Sequence, residues 1–311
     1  GCYTLTFAQD GTLYAGGSWV NIGGVLSFSI ASWDGTSWST LGSGLADSSG
    51  SIGLCFDIAI APDGSIYAAG EFATAGGTPA LNIARWDGTI WSALGAGIND
   101  RVNAIDFASD GTLYATGGFT EAGGSPAGAI AKWDGTNWSP LGSGLGFTSF
   151  DFGLGIKAAS DGNVYVVGQF DLTFGSPNND QNIAKWDGTN WSGVGTGLIA
   201  FTNDIAESPS GDIYVGGGFG FDNGFPEVTL NRIARLNPPV PCDIAITSVE
   251  KSDESCPGED DGSITINATC SSCASILYSI DGGSTTQASP TFTGLTPGTY
   301  QPYVEDSGDD T

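Results

Sequence analysis

The pattern Trp-Asp-Gly-Thr-x-Trp stands at Trp33–Trp38, Trp86–Trp91, Trp133–Trp138 and Trp186–Trp191, and it holds eight of the chain's nine tryptophans. It is part of a longer repeat. Each unit opens on an apolar stretch that ends in a turn glycine, at Gly11, Gly64, Gly111, Gly162 and Gly211, so five units follow one another at a spacing of 47 to 53 residues. Three residues after each glycine comes a tyrosine (Tyr14, Tyr67, Tyr114, Tyr165, Tyr214), and five residues further an aromatic (Trp19, Phe72, Phe119, Phe170, Phe219). A variable loop then leads to Ile-Ala-x-Trp-Asp-Gly and to a Trp-Ser-x-Leu-Gly-x-Gly segment. A repeat of this length constrains the fold because one unit cannot bury its own apolar faces, and stacked neighbours must build the core between them.

Within a unit, short β-type runs separated by Asp-Gly read as four strands joined by tight hairpins. A two-residue loop at Asp34-Gly35 places Trp33 opposite Thr36 and Ala31 opposite Trp38. The two indoles then lie on one face as diagonal neighbours. Indoles at so fixed an offset in every copy read as packing between sheets rather than as a ligand platform. Four-stranded units at this period predict a five-bladed β-propeller over residues 1–237. Leu5, Ile58, Ile105, Ile156 and Ile205, five before each turn aspartate or its equivalent, are expected on the innermost strands, sealing the blades. Asp106 and Lys157 hold one position in consecutive units and are expected to face each other. The fifth unit ends at Arg235-Leu236-Asn237-Pro238 without a Trp-Ser-x-Leu strand. Either residues upstream of Gly1 supply that strand and close the ring, or the last blade has three strands.

Composition agrees with an all-β chain: 50 glycines among 311 residues and 40% hydrophobic content suit many turns around a packed core. Acidic residues outnumber basic ones 34 to 8, for a net charge of -26. Such a surface repels phosphate backbones and anionic headgroups, which excludes nucleic acid and membrane surfaces as expected partners. No run of 18 apolar residues occurs, so no membrane insertion is expected. The chain begins inside a repeat with no signal peptide and reads as a mature or trimmed fragment. Six cysteines without a histidine point to disulfides and an oxidising compartment rather than to zinc, with buried free thiols as the alternative.

Asn237-Pro-Pro-Val-Pro241 changes the composition, and residues 238–241 read as a proline linker. Residues 242–311 hold short alternating stretches, Ile244–Val249, Ser263–Asn267, Ile276–Ile280 and Thr299–Val304, which predict a small immunoglobulin-like β-sandwich. "CPGEDDGSITINATC" (256–270), "YSIDGG" (278–283), "FTGLTPGTY" (292–300) and "YVEDSG" (303–308) resemble the SprB-type repeat of large Bacteroidetes cell-surface adhesins. The resemblance implies export, commonly by the type IX route, and surface adhesion, with gliding motility in some members. The Gly- and Trp-rich units also resemble surface propellers of such bacteria, through "LYAGG" and "WDGTxW". One departure is Asp309, which stands where the family often has a cysteine. Cys242 is therefore expected to join Cys256 in place of that missing link, and Cys270 to bridge Cys273 across two serines. In the propeller, Cys2 and Cys55 share one inner-strand register position and are expected to bridge neighbouring blades.

Candidate chemistry is sparse. Asp57 and Asp204 occupy equivalent inner-strand positions and are the carboxylates a propeller glycoside hydrolase would use, or else solvated channel residues. The run Glu259-Asp260-Asp261 offers oxygen ligands for calcium but lacks the alternating spacing of a ligand loop. Arg85, Lys132, Lys185 and Arg235 precede the tryptophan slot. They either ring an anion or cover apolar edges while pairing with nearby acids. No catalytic residue, cofactor or metal is assigned. The expected function is that of a non-catalytic extracellular adhesin, with loops such as Thr74–Pro79 and Glu121–Pro126 contacting a glycan or protein. The alternative is a structural subunit that self-associates into a stalk or filament.

Overall fold

Gly35, Gly88, Gly135 and Gly188 all lie at φ between 95° and 97°, a conformation that L side chains rarely adopt. The aspartate before each folds back on the turn: Asp34 Oδ1 accepts from the Thr36 and Ser37 amides, both at 2.7 Å. The result is a four-residue loop closed by an Asx turn, not the two-residue loop that Asp-Gly suggests. Trp33 therefore pairs directly with Trp38, and likewise Trp86 with Trp91, Trp133 with Trp138 and Trp186 with Trp191. The expected diagonal register is corrected by this one added turn. The indoles of each pair are 5.3–5.4 Å apart and tilted by 49–52°.

The computed structural model describes residues 1–145, 152–171, 181–194, 198, 202–218, 233–236, 244–256, 258–270 and 275–306. The described residues contain strands and no helix, so no helix is long and apolar enough to cross a membrane. The chain divides into two compact units, Gly1–Leu236 and Asn237–Thr311. In the first, four antiparallel four-stranded sheets and a fifth of three strands follow one another. Their first strands are Cys2–Phe7, Leu54–Ile60, Val102–Phe107, Phe152–Ala158 and Thr202–Glu207. In each sheet the chain meanders, so in the first four units the two Asp-Gly loops share one end. The link between the second and third strands shares the other end with the passage to the next sheet. In the first three sheets that link is a small hairpin, at Asn21–Leu26, Thr74–Pro79 and Glu121–Pro126.

The core lies between sheets. Four clusters each join the forward face of one sheet to the back face of the next. Every junction carries the same trio: Tyr14 and Ile30 with Ile58, Tyr67 and Ile83 with Ile105, Tyr114 and Ile130 with Ile156, Tyr165 and Ile183 with Ile205. Polar bonds cross each junction as well. Trp91, Trp138 and Trp191 donate their indole N–H to the carbonyls of Leu41, Leu94 and Leu141 on the preceding sheet, at 2.8–2.9 Å. The WDGTxW motif is thus an interior fastener, as its fixed offset suggested.

Among the described residues, closure of the five sheets into a ring is not seen. Ile58, Ile105, Ile156 and Ile205 are 5–8% exposed, whereas Leu5 is 61% exposed, with no sheet of the described residues packed on the back face of the first. The cysteine pairing is corrected too. Cys2, Cys55 and Cys256 carry free thiols, so neither a Cys2–Cys55 nor a Cys242–Cys256 bridge forms. Cys2 and Cys55 turn along their own strands, each Sγ donating to a carbonyl two residues on, Thr4 and Asp57, at 3.6 Å. Cys55 is fully buried, and burial, reinforced by nearby Asp57 and Cys2, pushes its thiol well above the usual range and away from reactive thiolate. Cys270 is disulfide-bonded; Cys242 and Cys273 lie outside the described residues.

The second unit holds a three-stranded sheet of Ala245–Ser252, Gly262–Thr269 and Thr291–Leu295, and a two-stranded sheet of Ile276–Ser279 and Tyr303–Asp306. Ile266 is its one fully buried large apolar side chain among the described residues.

Candidate functional site

A first strand that lines the inside of such an array has outward-facing amides with no ladder partner. Carboxylates of the preceding sheet meet this need. Asp57 Oδ2 accepts from the Ile105 amide of the next sheet at 2.8 Å, while Oδ1 accepts from its own neighbour Ile58 at 2.8 Å and from Thr4 of the preceding sheet at 3.2 Å. One step along, Asp106 Oδ2 accepts from Lys157 Nζ at 2.8 Å and from the Ala158 amide at 2.9 Å. Between the fourth and fifth sheets the contact runs the other way: Glu207 of the fifth sheet accepts from the Ser160 amide, in the turn of the fourth, at 2.9 Å. The sequence placed Asp106 opposite Lys157, and there the pair stands. The two side chains are each 25% exposed, so a double-mutant cycle of Asp106→Asn with Lys157→Gln is expected to give a coupling of about 0.5–1 kcal/mol in urea unfolding. Zero coupling would reduce the pair to two independent backbone contacts.

Asp57 and Asp204 were the candidate catalytic acids. Asp57 accepts from Thr4, Ile58 and Ile105. Asp204 accepts from the Ile205 amide at 2.8 Å, the counterpart of the bond from Asp57 to Ile58. Burial outweighs the three bonds that favour the charged form and pushes the Asp57 carboxyl from 3.8 up to about 6. The folded state therefore holds this proton more tightly than the unfolded chain does. The stabilisation is complete below 3.8 and is lost as pH rises through about 6. The turn aspartates act oppositely. Hydrogen bonds hold Asp34, Asp87, Asp134 and Asp187 below their ordinary value, and their contribution is lost as pH falls through those depressed values. Thermal stability is expected to peak between 3.8 and about 6, and Asp57→Asn to flatten the alkaline limb by on the order of 1–3 kcal/mol. An unchanged alkaline limb in Asp57→Asn would assign that slope to overall charge repulsion instead.

The other end of the array is the hairpin rim. The first glycine of each hairpin tip sits on the second tryptophan of its own unit: a Cβ on Gly23, Gly76 or Gly123 would lie 2.3, 2.6 or 3.0 Å from Trp38, Trp91 or Trp138. Gly76 and Gly123 also donate to the Gly44 and Gly97 carbonyls of the preceding sheet at 2.8 Å. The loops expected to be free ligand loops are therefore pinned at their base, and their exposed part is the short tip. Val20, Leu26 and Leu81 are exposed apolar residues beside these tips.

Of the basic residues, Arg85 pairs with Asp63 at 3.0 Å and Arg235 with Asp212 at 2.9 Å, which favours edge-covering over an anion ring. Arg85, Asp63, Tyr67 and Trp133 line a shallow cavity of about 280 Å³ between the second and third sheets. In the second unit, Lys251, Glu254, Ile264 and Tyr300 line another of about 330 Å³. Asp261 of the acidic run caps its own loop, accepting from the Ser255 amide at 2.8 Å and hydroxyl at 2.6 Å. Among the described residues no group of three or more His, Cys, Asp or Glu is placed to hold a metal ion.

Sequence reasoning missed Asn82 and Asn182. Both are buried, lie at φ 60° and 65°, and tie the start of the third strand to the segment that leaves the fourth. Asn82 Oδ1 accepts from the Phe72 amide at 3.0 Å, and Nδ2 donates to the Ile98 carbonyl at 2.8 Å. Their signal was an Asn just before the Ile-Ala of the third strand, in two units of five.

Residues 61–86 match a family model described as a domain of unknown function (DUF5122) beta-propeller. No curated protein matches the chain. Among solved structures, the chain is similar to a candidate gluconolactonase at 13% identity and a TM-score of 0.43, over 76% of this chain and 73% of that one. It is similar to YCF48 bound to D1 peptide at 15% identity and 0.42, over 74% of this chain and 61% of that one. It is also similar to PorZ, a bacterial surface component of the type IX secretion system of Porphyromonas gingivalis, at 14% identity and 0.33, over 98% of this chain and 57% of that one. These likenesses are too distant to carry a function.

Proposed function

We propose that this chain is a non-catalytic, extracellular surface-binding module of a bacterium. Its five sheets form a propeller-type scaffold of five blades, followed by a small immunoglobulin-like domain of SprB type, and the hairpin rim contacts a glycan or protein partner. One observation carries the reading. The recurrent motif residues are engaged within the scaffold, as indole N–H on carbonyl and turn carboxylate on amide, while the exposed hairpins of the first three units share a Gly-Gly tip and differ in the residues beside it. A scaffold whose repeated polar groups are spent on itself, and which leaves a rim of exposed hairpins, suits recognition rather than bond-making. The acids that would serve a hydrolase bond to backbone amides instead.

The test is a glycan array and a surface-protein pull-down with the full chain, repeated with the tips Gly77-Thr78-Pro79 and Gly124-Ser125-Pro126 each replaced by Gly-Ser-Gly. Binding that disappears without loss of thermal stability supports the rim. Binding that survives both replacements, or hydrolysis of a bound glycan, rejects it. The alternative of a structural subunit draws on a different observation, the exposure of Leu5 on the first sheet and of Ile233 on the fifth among the described residues.

A further inference from the structure

Every unit places one residue of its third strand directly opposite the recurrent tyrosine of its second. The pairs are Tyr67 with Arg85, Tyr114 with Lys132, Tyr165 with Lys185 and Tyr214 with Arg235, but Tyr14 with Ser32. Four units thus carry a cation at this position, and the first carries a small hydroxyl. The position lies near the Asp-Gly turns of its sheet. In the second unit, Arg85 Nη2 donates to Asp63 Oδ2 at 3.0 Å and to Ser65 Oγ at 2.7 Å. Arg235 donates to Asp212 Oδ1, in the corresponding turn of the fifth unit, at 2.9 Å. Hydrogen bonds from turn amides hold Asp63 and Asp87 below their ordinary value, and the charge of Arg85 adds to both effects. Asp10 and Asp34 are held down by the bonds of their own turns, with no cation contributing.

The first unit keeps the surroundings of the missing guanidinium. Asp10 stands at the place of Asp63 and accepts through Oδ1 from the Thr12 amide at 2.9 Å. It is exposed, and among the described residues no cation pairs with it. Room is left as well. At the next junction a cavity of about 280 Å³ stays open beside Arg85, lined by Tyr67 and by Trp133 of the following sheet. Those two residues are each 9% exposed. Their counterparts beside Ser32, Tyr14 and Trp86, are only half-buried, although both pack against the core of their own junction. Aromatic rings left partly open next to an unpaired carboxylate make a place for a planar cation on an apolar stem.

We propose that this groove between the first and second sheets receives an arginine side chain of a partner protein, whose guanidinium takes the place that Arg85 fills in the next unit. The planar head pairs with Asp10, and the stem lies along Tyr14 and Trp86. Charge complementarity sets the kind of partner. The chain carries 34 acidic residues against 8 basic ones, so a basic partner is drawn to it and an acidic one repelled. Arginine suits the slot better than lysine. The molecule's own Arg85 and Arg235 reach a turn carboxylate, whereas Lys132 and Lys185, at the same position, pair with none among the described residues. The groove lies at the Asp-Gly end, away from the hairpin rim, and stands whether or not the rim binds a glycan.

The experiment titrates the full chain with N-acetyl-arginine methylamide, which presents the side chain as a polypeptide does, and follows the indole N–H signals by NMR. A saturable shift is expected at Trp86, with half-saturation on the order of 1–10 mM for a single side chain. The citrulline analogue, of the same shape but uncharged, is expected to bind roughly fivefold or more weakly. Asp10→Asn is expected to weaken binding of the arginine probe roughly twofold to fivefold. Ser32→Arg fills the slot from within and is expected to abolish the Trp86 response with the fold intact, as Arg85 leaves it in its own unit. Arg85→Ser does the reverse and is expected to open a second site, with new shifts at Trp133. Several results overturn the proposal: no saturable shift up to about 50 mM, equal binding of the two analogues, a Trp86 response kept in Ser32→Arg, or no second site in Arg85→Ser. So does an equal response at Trp133 in the unaltered chain, since a general pull of an acidic surface on cations acts at both junctions. The hairpin-tip variants are expected to respond as the unaltered chain does, and a response lost with the tips overturns the assignment to this groove.

Discussion

Trp138→Ala is expected to cost about 3–5 kcal/mol in urea unfolding, the range for emptying a large aromatic site. The indole is 8% exposed, within the cluster that joins the second and third sheets. Its ring lies 5.4 Å from that of Trp133, and its N–H donates to the Leu94 carbonyl at 2.9 Å. Truncation removes the packed area and leaves a buried carbonyl without its donor. Trp138→Phe separates these effects. It keeps most of the apolar contact and is expected to cost about 1–2 kcal/mol, mainly for the orphaned carbonyl. The decisive comparison is Trp38→Ala. Trp38 has the same sequence context and the equivalent ring partner, but it is only half-buried and its N–H has no carbonyl acceptor among the described residues. Its loss is expected to cost less than half as much. Equal costs at Trp38 and Trp138 would mean that the tryptophans stabilise their own hairpin and not the junction.

That contrast also marks how much the sequence made legible. Anything fixed by the repeat register could be read in advance. Equivalent positions have equivalent surroundings, so the buried inner-strand isoleucines and the Asp106–Lys157 pair followed from alignment of the units alone. Register does not determine how a side chain turns. Asp34 offers its carboxylate to two amides ahead of it, which lengthens the loop and brings Trp33 opposite Trp38, although Asp-Gly alone suggests the tighter turn. Cys2 and Cys55 share a register position, yet each thiol follows its own strand. Equivalence along a stack of sheets does not set the side-chain orientation that a disulfide needs. The hairpins were the hardest to foresee. Their sequences read as free loops because the feature that anchors them is an absent Cβ, and a glycine gives no sign of which ring it rests on. The fifth unit's missing fourth strand was visible, whereas the exposure of Leu5 and Ile233 needed the structure.

Asn82→Ala is the second large effect, and its magnitude follows from what the amide does on both sides. The backbone at Asn82 is left-handed, which asparagine tolerates better than alanine. Its side chain satisfies the Phe72 amide and the Ile98 carbonyl inside the protein, at 3.0 and 2.8 Å. Alanine leaves both without a partner where water is excluded, at about 1–3 kcal/mol per group and with partial relaxation, so a total near 2–4 kcal/mol is expected. Asn182 repeats the arrangement, donating to the Leu198 carbonyl at 2.6 Å, and its alanine variant should behave alike. The third sheet supplies a control in the same molecule. Ala129 holds the equivalent position at φ 67°, with nothing to offer the Phe119 amide or the Leu145 carbonyl. Ala129→Asn is therefore expected to gain about 1 kcal/mol from the bonds that Asn82→Ala loses. If both substitutions were neutral, these amides would be bystanders to the fold. A loss at 82 with a gain at 129 would mean that one buried amide, placed at a left-handed residue, ties the third strand to the segment leaving the fourth wherever the repeat provides it.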